Sequence, residues 1–318
     1  MSDWPTTGDA QQADLQQDAQ RADLQQADLQ QDLGDPTISF LSDYGHADEF
    51  VGVCHSVIRQ LAPATRVVDI THGIAAFDVR AGSLALVRAV QYLADGVVLA
   101  VVDPGVGTER RAVAVAAGAQ ILVGPDNGLL APAVAMLGGA TRAVVLDNDE
   151  FHLTAPGPTF AGRDIFAPVA AYLSSGRPLD AVGTPIDPVT LLPGVLPLTR
   201  SEPEGVIGEA LWVDRFGNVQ LNIDPTEIAV FGNVVAIRFG SVVRTAHRAQ
   251  SYSGVKTGQI GLVVDSYGLI SVCLCRANAA GELGLGAGAA VSIGPADDAP
   301  GGTAAGPTTI QLRPKPRH

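Results

Sequence analysis

Val97-Val-Leu-Ala-Val-Val-Asp103-Pro-Gly-Val-Gly-Thr-Glu-Arg110-Arg111 is the stretch on which the reading of this chain turns. Six apolar residues, 97 to 102, end on an acid and run into Pro104, Gly105 and Gly107. A short apolar run bounded by turn residues reads as a buried strand. In an open α/β sheet, ligands bind outside the carboxyl ends of the strands. Arg110 follows Asp103 by seven residues, so acid and guanidinium face each other across a short glycine loop. Two readings stay open at this point: a functional pair at a strand end, or a salt bridge that closes a turn.

Working outward, the segments around this strand alternate. Strands are expected at 38–41, 66–70, 96–102, 112–116, 120–123 and 141–146, with helices at 49–61, 81–94, 130–137 and 165–174. In the first helix the spacing puts Phe50, Val53, Val57 and Leu61 on one face. Strands alternating with helices imply an α/β domain with a mostly parallel sheet and helices on both faces. It is assigned to residues 36–198. After a polar linker at 199–205 the pattern becomes short strands and turns, at 208–213, 219–223, 234–239, 260–264, 269–274 and 289–293. Asp214-Arg-Phe-Gly217 and Asp265-Ser-Tyr-Gly268 read as hairpin tips. Residues 206–295 are therefore expected to form a C-terminal antiparallel β-barrel.

The ends differ from both domains. Ala-Asp-Leu-Gln-Gln recurs at residues 13–17, 22–26 and 27–31. Three interrupted units cannot stack into a solenoid core, so residues 1–35 are expected to be a disordered tail. Residues 296–318, rich in Gly, Pro and Thr, are expected to be another.

Composition narrows the function class. The chain has 318 residues, 47% of them hydrophobic and 17% charged, enough for two packed domains. A net charge of −13 argues against nucleic acid and anionic membranes as partners and suits a small cationic substrate. No apolar run approaches the length of a membrane span. No basic region followed by an apolar stretch marks a leader, so a cytoplasmic location is expected. Three cysteines are too few for a disulfide framework or a zinc site. Cys273 and Cys275 read as buried thiols on one strand.

Four acids, Asp43, Asp69, Asp103 and Asp126, follow strands of the first domain. Asp69-Ile-Thr-His72 has a chelating spacing, but the sequence offers no second cluster beside it. His72 is read as a structural histidine and no metal is expected. His46 lies in the loop after Asp43 and is a weaker candidate for ligand contact. His152 and His247 carry no motif. Gly124-Pro-Asp-Asn-Gly128 is a tight turn, and Arg163 with Asp164 forms an ion pair or a helix cap.

Together, Ser42-Asp-Tyr-Gly, Asp69-Ile-Thr-His, Val102-Asp-Pro-Gly-Val-Gly-Thr-Glu-Arg-Arg, Gly124-Pro-Asp-Asn-Gly, Thr159-Phe-Ala-Gly-Arg-Asp-Ile-Phe and Phe216-Gly-Asn resemble the S-adenosyl-L-methionine (SAM) hydroxide adenosyltransferases. These SAM hydrolases are related to the 5′-fluorinase and 5′-chlorinase, and the resemblance spans residues 38 to 293. It implies an N-terminal α/β domain, a C-terminal β-barrel and a homotrimer. The site would lie where the first domain of one subunit meets the barrel of its neighbour. It implies SAM as substrate, with no cofactor, and adenosine and L-methionine as products. Carried over, Asp43 would bind the ribose hydroxyls, and Phe77 and Phe160 would flank the ligand. Asp214, Phe216 and Asn218 on one tip, and Ser266 and Tyr267 on the other, would contact the methionine part or the adenine. Asn278 and Ala279 would approach the adenine edge. The halogenases carry arginine at the position of Tyr267.

The resembling hydrolases hold the attacking water with an aspartate, an arginine and a histidine. Asp103 and Arg110 match the first two, but Ala161 stands where the histidine belongs, as a natural variant or an introduced substitution. Arg110 is expected to lower the Asp103 pKa, leaving a weak base and a slow hydrolase. Two alternatives are a catalytically silent SAM or adenosine binder and a SAM-dependent 5′-halogenase. The halogenases have tyrosine where Asp103 stands, and a carboxylate there would repel a halide.

Overall fold

The computed structural model describes residues 36–296, and the chain divides into two compact units between Val195 and Leu196. The tails expected to be disordered lie outside the described residues, apart from Ala296.

The first unit is built on a seven-stranded sheet. In chain order its strands are β1 (Thr37–Ser42), β2 (Arg66–Thr71), β3 (Gly96–Val101), β4 (Ala112–Ala117), β5 (Gln120–Pro125), β6 (Arg142–Val145) and β7 (Thr184–Ile186). Their spatial order is β2-β1-β3-β5-β4-β6-β7. β2, β1, β3 and β5 run parallel to one another, whereas β4, β6 and β7 continue the sheet through antiparallel pairs. β4 and β5 are joined through Gly118 and Ala119, a link too short for the crossover that a parallel pair needs.

Both faces are covered. Along β3, Val97, Leu99 and Val101 enter one core, while Val98 and Ala100 enter the other. Period-2 alternation thus explains why an unbroken apolar run is required here. The first core receives α1 (Phe50–Leu61) and the last helix of the unit, Ala167–Ser174; the second receives α2 (Val79–Ala89) and α3 (Ala131–Met136). The Ala167–Ser174 helix is α4.

The buried face of α1 is centred on Cys54 and Ile58, with Val51, Val57 and Leu61 beside it. That is a correction of one residue's rotation. Phe50 is left 36% exposed and instead meets the rings of Tyr44 and Phe160. An apolar residue at a helix start can serve an aromatic cluster at the sheet end, and periodicity alone does not separate that from core packing.

The second unit is a closed barrel. Its strands are β8 (Arg200–Glu202), β9 (Gly205–Val213), β10 (Val219–Leu221), β11 (Val234–Phe239), β12 (Val242–Ala249), β13 (Ile260–Val264), β14 (Ile270–Leu274) and β15 (Ala290–Pro295). The order β10-β14-β13-β12-β11-β15-β9 closes through pairing of β9 with β10, and β8 extends the free edge of β9. Closure removes the exposed edges of the seven barrel strands. Val206, Leu221, Ile237, Leu262, Val272 and Ile293 fill the interior.

Four local expectations need correction. β12 was not expected, because Arg244, Thr245, His247 and Arg248 make it polar and only Ala246 is fully buried. It pairs parallel with β13, so the barrel is not wholly antiparallel. Residues 200–202, read as linker, form an exposed hairpin strand. A short helix, α5 (Ala279–Leu283), also appears. Among the described residues, no helix is long and apolar enough to cross a membrane.

Candidate active site

The chemistry-bearing residues of the first unit collect where the parallel strands end. Asp103 follows β3. Its Oδ1 accepts from Arg110 Nε at 3.0 Å and its Oδ2 from Arg110 Nη2 at 2.6 Å. The side chains are 6% and 11% exposed, making this a shielded, two-point ion pair. The Arg110 guanidinium also lies 5.3 Å from the centre of the Phe166 ring. Seven residues suffice for the closure because the loop folds on itself: Val106 N–H donates to the Asp103 carbonyl, and Thr108 N–H to that of Gly105.

The expected depression of the Asp103 pKa is not what the site produces. Burial raises it, and that outweighs the lowering by the Arg110 charge, the Arg110 hydrogen bonds and the Gly105 amide. Sequence shows the partner's charge but not the depth of burial, and here desolvation is larger. Asp103 is thus a stronger base than a free aspartate.

Asp43, just past β1, accepts the Phe77 N–H on Oδ2 at 2.9 Å. Phe77 is held at φ 68°, an unusual conformation for an aromatic residue, and the residue is 73% exposed. A backbone held in that region costs about 1–3 kcal/mol and persists only where its surroundings enforce it. Here Asp43 supplies one constraint, and Asp78, capping α2, supplies the next.

Phe160 and Ala161 precede a π-helical turn, Gly162–Phe166, that leads into α4. Such bulges are frequent at functional sites. Ala161 is 7% exposed and borders a cleft of about 870 Å³ together with Arg110, Thr108 and His152. Gly162 must lack a side chain, since a Cβ there would overlap the Tyr44 hydroxyl. Tyr44 is a site residue that sequence reading missed. Burial first, then the neighbouring Cys54, Asp43 and Asp103, holds its phenol well above its ordinary pKa, so it is a neutral hydroxyl. Its only sequence signal was its position beside Asp43 in a strand-end turn.

Other candidates resolve as structure. Asp126 bonds Arg111 and the Leu192 N–H, and Asn127 bonds the Val102 carbonyl. Arg163 and Asp164 form a local two-point pair. His72 is 1% exposed, with Nδ1 2.7 Å from Ser42 Oγ. His46 is exposed, its ring 5.4 Å from that of His72.

In the second unit, Asp214, Phe216, Asn218, Ser266, Tyr267 and Asn278 line one cleft of about 990 Å³. Its two tips are built alike. Asp214 accepts the N–H groups of Phe216 and Asn218, and Asp265 those of Tyr267 and Leu269. Each tip then turns through a left-handed glycine, Gly217 at φ 84° and Gly268 at φ 82°. The effect is to present an aromatic residue, Phe216 or Tyr267, at the same place on both tips. The Asp214 carboxylate is already engaged by the turn and by Asn218 Nδ2. Asn278 caps α5 and packs on Gly217, whereas the Ala279 side chain is fully buried and does not line the cleft. Cys275 also borders this cleft; β14 ends at Leu274, so of the expected pair only Cys273 is a buried thiol.

Comparison with known proteins bears on both units. Residues 38–183 match the SAM hydroxide adenosyltransferase N-terminal domain, and residues 208–292 the corresponding C-terminal domain. The chain is 46% identical over 250 residues to an "(R)-S-adenosyl-L-methionine hydrolase" of Salinispora tropica, covering 79% of this chain and 94% of that protein. It is 39% identical to a protein of the same name from Thermus thermophilus, covering 80% and 98%. A fluorinase of Actinoplanes is more distant, at 28% identity over 63% of this chain and 75% of the relative. Among solved structures, an uncharacterized conserved protein from Thermotoga maritima superposes with a TM-score of 0.75 at 36% identity, covering 80% of this chain and 99% of that one.

Proposed function

The chain belongs to the SAM hydroxide adenosyltransferase family, and from that premise we propose that it hydrolyses SAM to adenosine and L-methionine. The observation that carries this reading is the shielded Asp103–Arg110 pair at the end of β3. The sulfonium makes C5′ electrophilic, and its leaving group is the neutral thioether of methionine. Water oxygen bonds to C5′ as the C5′–S bond breaks, and the bonding pair goes to sulfur. Sulfur therefore needs no acid, and the one proton released comes from the water. Asp103, basic through burial and oriented by Arg110, accepts it. Alignment of the water with the C5′–S axis supplies much of the remaining rate.

Ala161 brings no imidazole to this space. Proton acceptance then falls to Asp103 alone, a weaker acceptor near neutrality than an imidazole; general-base assistance is worth about 10²–10⁴-fold, so the proposed hydrolysis is slow. Ala161 is also what favours a second reading, a silent SAM or adenosine binder. Halogenation is disfavoured because the shielded carboxylate of Asp103 repels a halide.

The substrate contacts follow from the resemblance. Asp43 takes the ribose and the rings of Phe77 and Phe160 flank the ligand. Phe216 and Tyr267, with Asn218, Ser266 and Asn278, close on it from a neighbouring subunit of a homotrimer. The 73% exposure of Phe77 and 77% exposure of Phe216 support partners for both rings. Three free cysteines suit a cytoplasmic location.

The test is incubation with SAM, with adenosine followed by chromatography. Adenosine above the no-protein control, abolished in Asp103→Asn, supports the hydrolase. SAM bound without turnover, even in Ala161→His, supports the binder.

A further inference from the structure

We propose that His55, Asp69 and His72 form a binding site for one divalent first-row transition-metal ion, with zinc the best match, on the face where α1 meets β2. The ligand atoms are His55 Nε2, Asp69 Oδ1 and His72 Nε2, all within 4.8 Å of one another. This is the one such cluster among the described residues. The inference stands apart from the proposed hydrolysis and from the residues assigned to it.

Asp69 Oδ1 lies 2.8 Å from His55 Nε2 and 3.0 Å from His72 Nε2. Ligand atoms about 2.0–2.2 Å from a shared zinc ion stand roughly 3–3.5 Å from each other. Two edges of the triangle are thus close to the required span. The third is within 4.8 Å, and a small adjustment of the partly exposed His55 side chain closes it.

His72 supplies the second, independent observation. Its side chain is fully buried, and its Nε2 has no hydrogen-bond partner despite facing Asp69. The opposite nitrogen, Nδ1, is 2.7 Å from Ser42 Oγ, which also accepts the Tyr44 N–H. Nδ1–H donating to Ser42 leaves a lone pair on Nε2 pointed toward a carboxylate oxygen. Two acceptors then oppose each other, and a cation between them removes the conflict. The alternative tautomer puts a buried N–H on Nε2, off the line to its acceptor. An outer partner that fixes the tautomer of a ligating imidazole is the usual companion of a metal site.

Two imidazoles and one carboxylate select a borderline metal rather than calcium or magnesium, which prefer all-oxygen shells. The exposed side, where Asp69 is 40% accessible, leaves positions for water. The ion would clamp α1 and β2 to the turn after β1, because Gly45 N–H is bonded to the His72 carbonyl at 2.8 Å.

The full-length protein, stripped of metal, is titrated with Zn²⁺ by calorimetry and with Co²⁺ by visible absorption. One site per chain is expected, with the intense bands of a four-coordinate cobalt. His55→Ala and His55→Gln, both at a partly exposed helix position, and Asp69→Asn should weaken it by about 10²-fold or more while near-UV circular dichroism stays native. Zinc-edge anomalous diffraction should place the ion about 2.0–2.2 Å from all three atoms. Absence of binding in the parent protein overturns the proposal. So does an affinity unchanged in both His55 variants and Asp69→Asn, or an anomalous peak elsewhere.

Discussion

Arg110→Met removes a charge and keeps the length and much of the apolar packing over Phe166, so it isolates the ion pair. The pair is shielded, at 6% and 11% side-chain exposure. Removing one partner of a buried pair leaves an uncompensated charge and typically costs about 3–5 kcal/mol. A unit of this size loses roughly 2–4 °C in Tm per kcal/mol, so a drop on the order of 10 °C is expected at neutral pH. The sign with pH follows from Asp103. Its folded pKa is already raised by burial, and loss of Arg110 raises it further. Stability tied to a raised carboxyl is present below the unfolded pKa and is lost as pH rises through the folded one. The variant should therefore nearly match the parent in acid and fall away from it towards neutrality. Asp103→Asn combined with Arg110→Met should recover most of the loss, since no buried charge remains. Thermal melts between pH 4.5 and 8 read both effects. A deficit of equal size at every pH, or a double variant as unstable as Arg110→Met, would refute desolvation as the main influence on Asp103.

Ala161→His has room in the cleft it borders and should raise adenosine formation by about 10²–10⁴-fold; initial rates on saturating SAM settle it, and an unchanged rate would count against water activation at this position. Phe77→Gly should raise Tm, because releasing the φ 68° backbone recovers part of about 1–3 kcal/mol, yet weaken SAM binding in calorimetry; a lowered Tm would mean that the conformation is not strained. Asp214→Ala deletes three hydrogen bonds of one hairpin tip and should cost about 1–3 kcal/mol, with amide exchange speeding first at residues 216–218; exchange unaltered there would show that the turn does not depend on this carboxylate. Parent-enzyme activity should rise with pH through an apparent pKa above that of ordinary aspartate, following the raised Asp103; a rising limb at or below the usual carboxylate range would exclude it as the base.

Much of this protein was legible before any coordinates. The run from Val97 to Val102 had to be buried on both faces, because six apolar residues in alternation leave neither side to water. Asp103 and Arg110 were expected to face each other, because Pro104, Gly105 and Gly107 favour a tight turn between them, and the loop's own hydrogen bonds close it. The two Asp-x-x-Gly tips were readable for the same reason: the acid and the glycine act within one turn. Each of these is local, and local chemistry is written in consecutive residues.

What tertiary structure decided is where segments distant in sequence come to lie. Whether Asp103 is depressed by its arginine or raised by burial depends on how deeply the folded chain encloses it, and burial prevailed. Polar β12 became a barrel strand because its neighbours β11 and β13 offered backbone partners, which no side-chain pattern announces. His55 joined Asp69 and His72 only because α1 packs across β1 and β2, closing a gap of 14 residues. A sequence specifies which groups exist and which neighbours share a turn. Desolvation and long-range proximity arise only when the chain has closed on itself.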